Sequence, residues 1–237
     1  MKVVFAQIAK DRQPPYRVIT KIASEDGQNV VCKQAAAIEA VPFVNGLEHN
    51  YKVMAETYGK EHVAEGRLAA DGLFCMEYVQ GKGLDKILLD ALSKKRYEEF
   101  IELFTFYYQH ILPDVPKKEG NNDGYTLPLA KDRKVNIDLT FGNIIVGKSI
   151  EDLKIIDYEW LFPASSKDFL CCRAMRNLYW QGKAVLERAG MGLEQLLQGA
   201  GIDLDDMPEL NARERGFYDV VGDFSSQKYE QPHKICY

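Results

Sequence analysis

The chain has 237 residues, 46% of them apolar and 27% charged, which excludes a disordered polymer and allows one large domain or two small ones. A formal net charge of -5 offers no basic face for a phosphate backbone, so a nucleic-acid partner is not expected. No apolar run is long enough to cross a bilayer and the N-terminus lacks a signal-peptide pattern, so a cytoplasmic protein is expected.

Three strand-like segments come first: VVFAQIA, YRVITKIAS and NVVCKQA. The last two flank EDGQ, a hairpin turn built on Asp26 and Gly27. A helix follows, with Leu47, Tyr51, Met54, Ala55 and Tyr58 on one stripe and Asn45 as its expected N-cap. HVAEGRLA and LFCMEYV read as two further strands, closed by the connector QGKG. From Leu84 the pattern turns helical, and Tyr97, Phe100, Ile101, Phe104, Tyr107, Tyr108 and Ile111 trace one wide apolar face. A polar loop, KKEGNNDG, precedes two strand-like pieces, KVNIDLTFGNIIVG and LKIIDYEW. The remainder, from about Ser166, reads as helices, the first carrying Phe169, Cys172, Arg173, Arg176 and Tyr179.

Five cysteines occur, an odd count, with Cys171 and Cys172 adjacent and no CxxC. Neither a disulfide framework nor a zinc site is expected; the thiols are read as reduced and buried. His49, His62, His110 and His233 show no ligand spacing.

The chemistry concentrates in the two strand-like pieces. Asp138 stands five residues before Asn143, and Asp157 fourteen after it. Pairing of NIIV with KII as a hairpin would bring an acid, an amide and a second acid to one edge. Phosphoryl transfer asks for such a set. One carboxylate orients the attacking hydroxyl and takes its proton, while a second, with an amide oxygen, supplies the hard ligands that Mg²⁺ prefers. Each acid taken singly would also serve as a turn or capping residue.

Asp138-Leu-Thr-Phe-Gly-Asn143, followed by Ile-Ile-Asp157-Tyr-Glu-Trp, resembles the catalytic and metal-binding loops of the protein-kinase-like superfamily, in particular its aminoglycoside phosphotransferase and choline kinase branch. IDYEW is also similar to kinase-like domains attached to bacterial glycan-assembly enzymes, glycosyltransferases and methyltransferases among them. The resemblance implies an α+β, bilobal fold. Residues 1–81 would form a five-stranded antiparallel N-lobe with one helix, and 82–237 a mainly helical C-lobe. It implies ATP and Mg²⁺ as cofactors, Asp138 as the catalytic base, and Asn143 and Asp157 as metal ligands. It further implies Lys33 as the phosphate-binding lysine and Glu48, or Glu56, as its ion-pair partner. Glu77 and Val79 would be adenine contacts through the backbone. Glu159 would add to the metal shell or pair with an arginine such as Arg173.

Departures from the pattern narrow the reading. The first turn, KDRQPP, holds no glycine-rich motif; Asn136 replaces the usual histidine two residues before the catalytic acid; no activation segment with an A-P-E ending follows. The missing glycine-rich loop and activation segment disfavour a protein kinase, and the replaced histidine, mostly architectural in the family, leaves activity open. Expected instead is a kinase acting on a hydroxyl of a small molecule or glycan, fused to or associated with glycan-assembly modules. The alternative is an inactive kinase-like binding module. The acidic balance suits a cationic acceptor, whereas IDYEW points to a glycan.

Overall fold

The computed structural model describes residues 2–25, 27–113, 115, 117, 134–163 and 166–223. The chain divides into two compact units: Met1–Gln80 joined by the stretch from Gly216, and Gly81–Arg215. The class is the α+β expected from the sequence, with a five-stranded antiparallel sheet followed by a mainly helical region.

In the first unit the strands are β1 (Lys2–Ile8), β2 (Val18–Glu25), β3 (Gln28–Ala35), β4 (Gly66–Ala70) and β5 (Leu73–Glu77), ordered β1-β2-β3-β5-β4, with helix α1 (Val41–Tyr58) between β3 and β4. Every strand pair is antiparallel. Alternation drives the sheet: Phe74 and Met76 of β5 are buried, and their neighbours in the strand are not. Edge strand β1 is exposed along its whole length, Val4 to 56%.

Helix α1 begins earlier than its apolar stripe suggests. Pro42 lies in the first turn, where its missing N–H has no cost, and Gly59 ends the helix at φ 89°. Asn45 therefore sits inside the helix and is not its N-cap. Its side chain instead grips the β4–β5 turn, donating to Asp71 Oδ1 at 2.8 Å and accepting from Gly72 N at 2.8 Å.

Cys32 and Cys75 correct a second expectation. They stand directly opposite in the β3–β5 register with Cα atoms 4.2 Å apart, and they form a disulfide. Counting cysteines cannot reveal this pair, because its closeness follows from strand pairing across 43 residues.

The second unit opens with β6 (Lys82–Gly83), then α2 (Leu84–Ser93) and α3 (Tyr97–Phe106), which ends in a wider helical turn at Tyr107–Ile111. The apolar face expected over this stretch is buried only in part. Tyr107 and Ile111 are in the core, whereas Ile101 is 59% exposed. Of the polar loop over 117–124, all but Lys117 lies outside the described residues, as do His233 and Cys236.

Strands β7 (Lys134–Asn136), β8 (Ile144–Val146), β9 (Leu153–Ile155) and β10 (Leu161–Pro163) follow. β6, β8 and β9 make one small sheet, β7 and β10 another. Helix α4 (Lys167–Arg188) is capped by Ser166, whose hydroxyl accepts from Phe169 N at 3.2 Å. It bends at Gly182, whose missing side chain lets Leu89 of α2 approach; a Cβ there would overlap the leucine. Helices α5 (Leu193–Gly199) and α6 (Met207–Val221) are the last helices of the described residues. Cys171 and Cys172 are buried on α4 as expected, and burial is the main reason both thiols are pushed up, Cys172 to about 11. No helix among the described residues is long and apolar enough to cross a membrane.

Candidate active site

Asp138, Asn143 and Asp157 all lie on the two short connections that link the small sheets of the second unit. The β8–β9 hairpin forms in the register Ile144↔Ile155, Val146↔Leu153, so its open end carries Asn143 on one side and Asp157 on the other. The Ile156 N–H donates to the Asn143 carbonyl at 2.9 Å and extends the ladder by one bond. On the other flank, Ile137 N donates to the Trp160 carbonyl at 3.0 Å, continuing the β7–β10 pairing. The Asp138 and Asp157 segments are thus held to each other by backbone bonds on both sides.

Asn136 joins them through its side chain. Its Nδ2 donates to the Asp157 carbonyl at 3.2 Å, and its Oδ1 accepts from the Asp138 N–H at 3.0 Å. The residue is 1% exposed, so each bond satisfies a backbone group in a place with little access to water. The substitution that looked like a departure from the kinase pattern supplies a bridge between the two acids. Asp157 itself has φ 57°, in the left-handed region where a short polar side chain is tolerated at a cost of about 1–3 kcal/mol.

Asn143 is fixed by two bonds. Its backbone N–H donates to the Thr140 carbonyl at 2.9 Å, and its Nδ2 donates to the Asp138 carbonyl at 2.9 Å. The amide nitrogen is thereby committed to the loop, and Oδ1 is left as the acceptor the side chain can present. Below the loop, the buried Tyr107 hydroxyl donates to the Leu139 carbonyl at 2.8 Å, and its ring packs on Phe141 with centroids 4.5 Å apart.

The Asp138 carboxylate has a partner the sequence did not reveal. Arg173 on α4 donates to Asp138 Oδ1 through Nη2 at 2.6 Å and through Nε at 3.2 Å, and Nε also reaches the Ile137 carbonyl at 3.2 Å. The remaining arm, Nη1, binds Glu214 of α6. Arg173 and Glu214 are 10% and 8% exposed at their side chains, Asp138 21%. Arg173 was expected only as an alternative partner of Glu159; Glu159 itself is 4% exposed.

The other sequence-derived candidates lie in the first unit. Lys33 is on β3, opposite Thr20 and Phe74, and only 5% exposed. Glu48, on α1, accepts from the Leu68 N–H and from Lys52, each at 3.2 Å; the backbone bond, then Lys52, holds its carboxyl below the usual range. The N–H of Glu77 donates to the Glu65 carbonyl at 2.9 Å, and its carboxylate accepts from Glu65 N at 3.0 Å. Val79 is half-buried in the segment after β5.

Among the described residues, no three His, Cys, Asp or Glu converge as a metal site. The sequence-derived ligands, Asp157 and Asn143, would offer one carboxylate and one amide oxygen. That fits Mg²⁺, which takes few protein ligands and completes its shell with water and phosphate oxygens.

No protein-family model matches the chain, and no curated protein does. Among solved structures, it is similar to a macrolide 2'-phosphotransferase of type I at 10% identity, over 92% of this chain and 91% of that one, with a TM-score of 0.39. It is also similar to a spectinomycin phosphotransferase, in complex with ADP and spectinomycin, at 12% identity over 99% and 87% of the two chains, with a TM-score of 0.41.

Proposed function

We propose that this chain is an ATP-dependent phosphotransferase of the protein-kinase-like superfamily that modifies a hydroxyl of a small molecule or glycan. The observation that carries this reading is the linking of Asp138 to Asp157 through Asn136 and to Asn143 by a direct hydrogen bond, which gathers two carboxylates and an amide of the kind phosphoryl transfer asks for.

In this reading the acceptor oxygen forms a bond to the γ-phosphorus as the bond to the β–γ bridging oxygen breaks, and ADP leaves with that electron pair. Asp138 orients the acceptor hydroxyl and takes its proton at Oδ2, since Oδ1 is held by Arg173. Mg²⁺, held by Asn143 Oδ1 and the Asp157 carboxylate, would supply charge neutralisation between the phosphates. Taken by itself, the first unit is assigned nucleotide binding: Lys33 would bind phosphate oxygens, the backbone of Glu77 and Val79 would bind adenine, and Glu48 would support Lys33. A glycan acceptor, and association with glycan-assembly modules, rests on the IDYEW string.

One observation favours a second reading, a binding module without turnover: the Asp138 carboxylate is already in an ion pair. Calorimetric titration of ATP with and without Mg²⁺, on wild type and Asp157→Ala, tests the first reading. Metal-dependent binding that vanishes in the folded variant supports it. Unchanged Mg²⁺-dependent binding in Asp157→Ala removes Asp157 from the metal site.

A further inference from the structure

We infer that Arg173, braced by Glu214, is the positioning residue for Asp138, fixing which of its carboxylate oxygens meets the acceptor. The inference rests on the phosphotransferase reading and deepens it.

Nη2 and Nε both converge on Oδ1 of Asp138, at 2.6 and 3.2 Å. Two donors from one planar guanidinium hold Oδ1 at a defined position and so restrict rotation of the carboxylate. Oδ1 is spent, and Oδ2 has no partner among the described residues. A carboxylate free to turn would present either oxygen to the acceptor; this one presents a single defined lone-pair set.

The guanidinium is itself fixed. Nε reaches the Ile137 carbonyl at 3.2 Å, and Nη1 holds Glu214, 41 residues further along the chain. With side-chain exposures of 10% and 8%, Arg173 and Glu214 are ordered by packing as well as by charge. The arginine carries one positive charge against two carboxylates, so the cluster keeps a net negative charge while Oδ2 stays open. The two hydrogen bonds to Oδ1 set the geometry of the proton acceptor, where a displacement of about 1 Å costs on the order of 10²-fold in rate.

The test uses Mg-ATP, with water as the acceptor, on full-length protein. Arg173→Lys keeps the charge and loses the fork. Its turnover should fall about 10-fold to 10²-fold, with Mg-ATP affinity and melting temperature close to wild type. Arg173→Ala should fall further, and added guanidinium at millimolar concentration should restore turnover several-fold where ammonium does not. If Arg173→Ala fails to fold, the Arg173→Lys comparison decides. Wild-type turnover in Arg173→Lys, or a loss matched by an equal loss of Mg-ATP affinity, overturns the positioning role while leaving the phosphotransferase reading intact. Absence of any turnover in wild type with Mg-ATP bound, with water and with cell-extract acceptors alike, fails the phosphotransferase reading itself, and this inference with it.

Discussion

Asn136 donates to the carbonyl of Asp157 at 3.2 Å, across 21 positions of sequence, from a side chain that is 1% exposed. The same amide accepts from the N–H of Asp138. One neutral side chain therefore couples the backbone of the proposed proton acceptor to that of the proposed metal ligand, and the coupling is independent of either carboxylate.

Replacing this amide tests whether the coupling matters. Asn136→Ala leaves a half-buried N–H and a half-buried C=O without their partners, at up to about 1–3 kcal/mol each. The melting temperature should drop by several degrees, and Mg-ATP affinity and turnover should fall together although Asn136 touches neither nucleotide nor acceptor. Thermal melts and nucleotide titrations on one preparation check this. An unchanged melting curve would show that the two bonds contribute nothing to stability.

The acid–amide–acid spacing was legible in the sequence because it is local. Asp138, Asn143 and Asp157 fall on either side of apolar runs short enough to pair only one way, and the Ile144↔Ile155 register follows. The five strands of the sheet were legible from alternation and turn residues. The Asp138–Arg173–Glu214 chain of contacts was not, since it depends on how α4 and α6 pack, 35 and 76 positions beyond Asp138. Cys32 and Cys75 escaped for the same reason. Asn45 misled because an Asn with a Glu three positions on fits a capping box, while Pro42 marks the helix start more strongly.

Lys33 is the residue on which the role of the first unit rests. The residue is 5% exposed on β3, and a lysine ammonium is a point charge suited to phosphate oxygens. Lys33→Met keeps most of the side-chain volume and removes the charge. Mg-ATP affinity should weaken by at least tenfold, with the circular dichroism spectrum unchanged. Wild-type affinity in the folded variant would take Lys33 out of the nucleotide site.

The cysteine pair makes a separate, chemical prediction. Titration of thiols in denatured protein should return two fewer groups before reduction than after it, because Cys32 and Cys75 are bonded. In the native protein Cys171 and Cys172 should stay silent toward thiol reagents near pH 8, since burial disfavours both thiolates. The chain-entropy model for a 43-residue separation gives about 4 kcal/mol of stabilisation, so a reductant should lower the melting temperature by roughly 10 °C. Equal thiol counts before and after reduction would show that the pair is reduced in solution.

Asp138 separates the enzyme from the binding module. Its carboxylate is assigned to the acceptor hydroxyl and not to the nucleotide, and its backbone carbonyl, which Asn143 uses, survives any side-chain change. Asp138→Asn keeps the shape and an oxygen for Arg173 but cannot take a proton. Turnover should drop on the order of 10²–10⁴-fold, while Mg-ATP affinity stays near the wild-type value. If Asp138 instead serves only as the ion-pair partner of Arg173, the outcome inverts. Stability then falls, because the buried Arg173 loses one of its two carboxylates, and ATP hydrolysis changes no more than folding does. The measurement is therefore paired, melting temperature and hydrolysis on the same sample, with nucleotide affinity as the control. A selective loss of turnover assigns proton transfer to Asp138. Hydrolysis untouched in a folded Asp138→Asn protein withdraws it and leaves a nucleotide-binding module whose acid is structural.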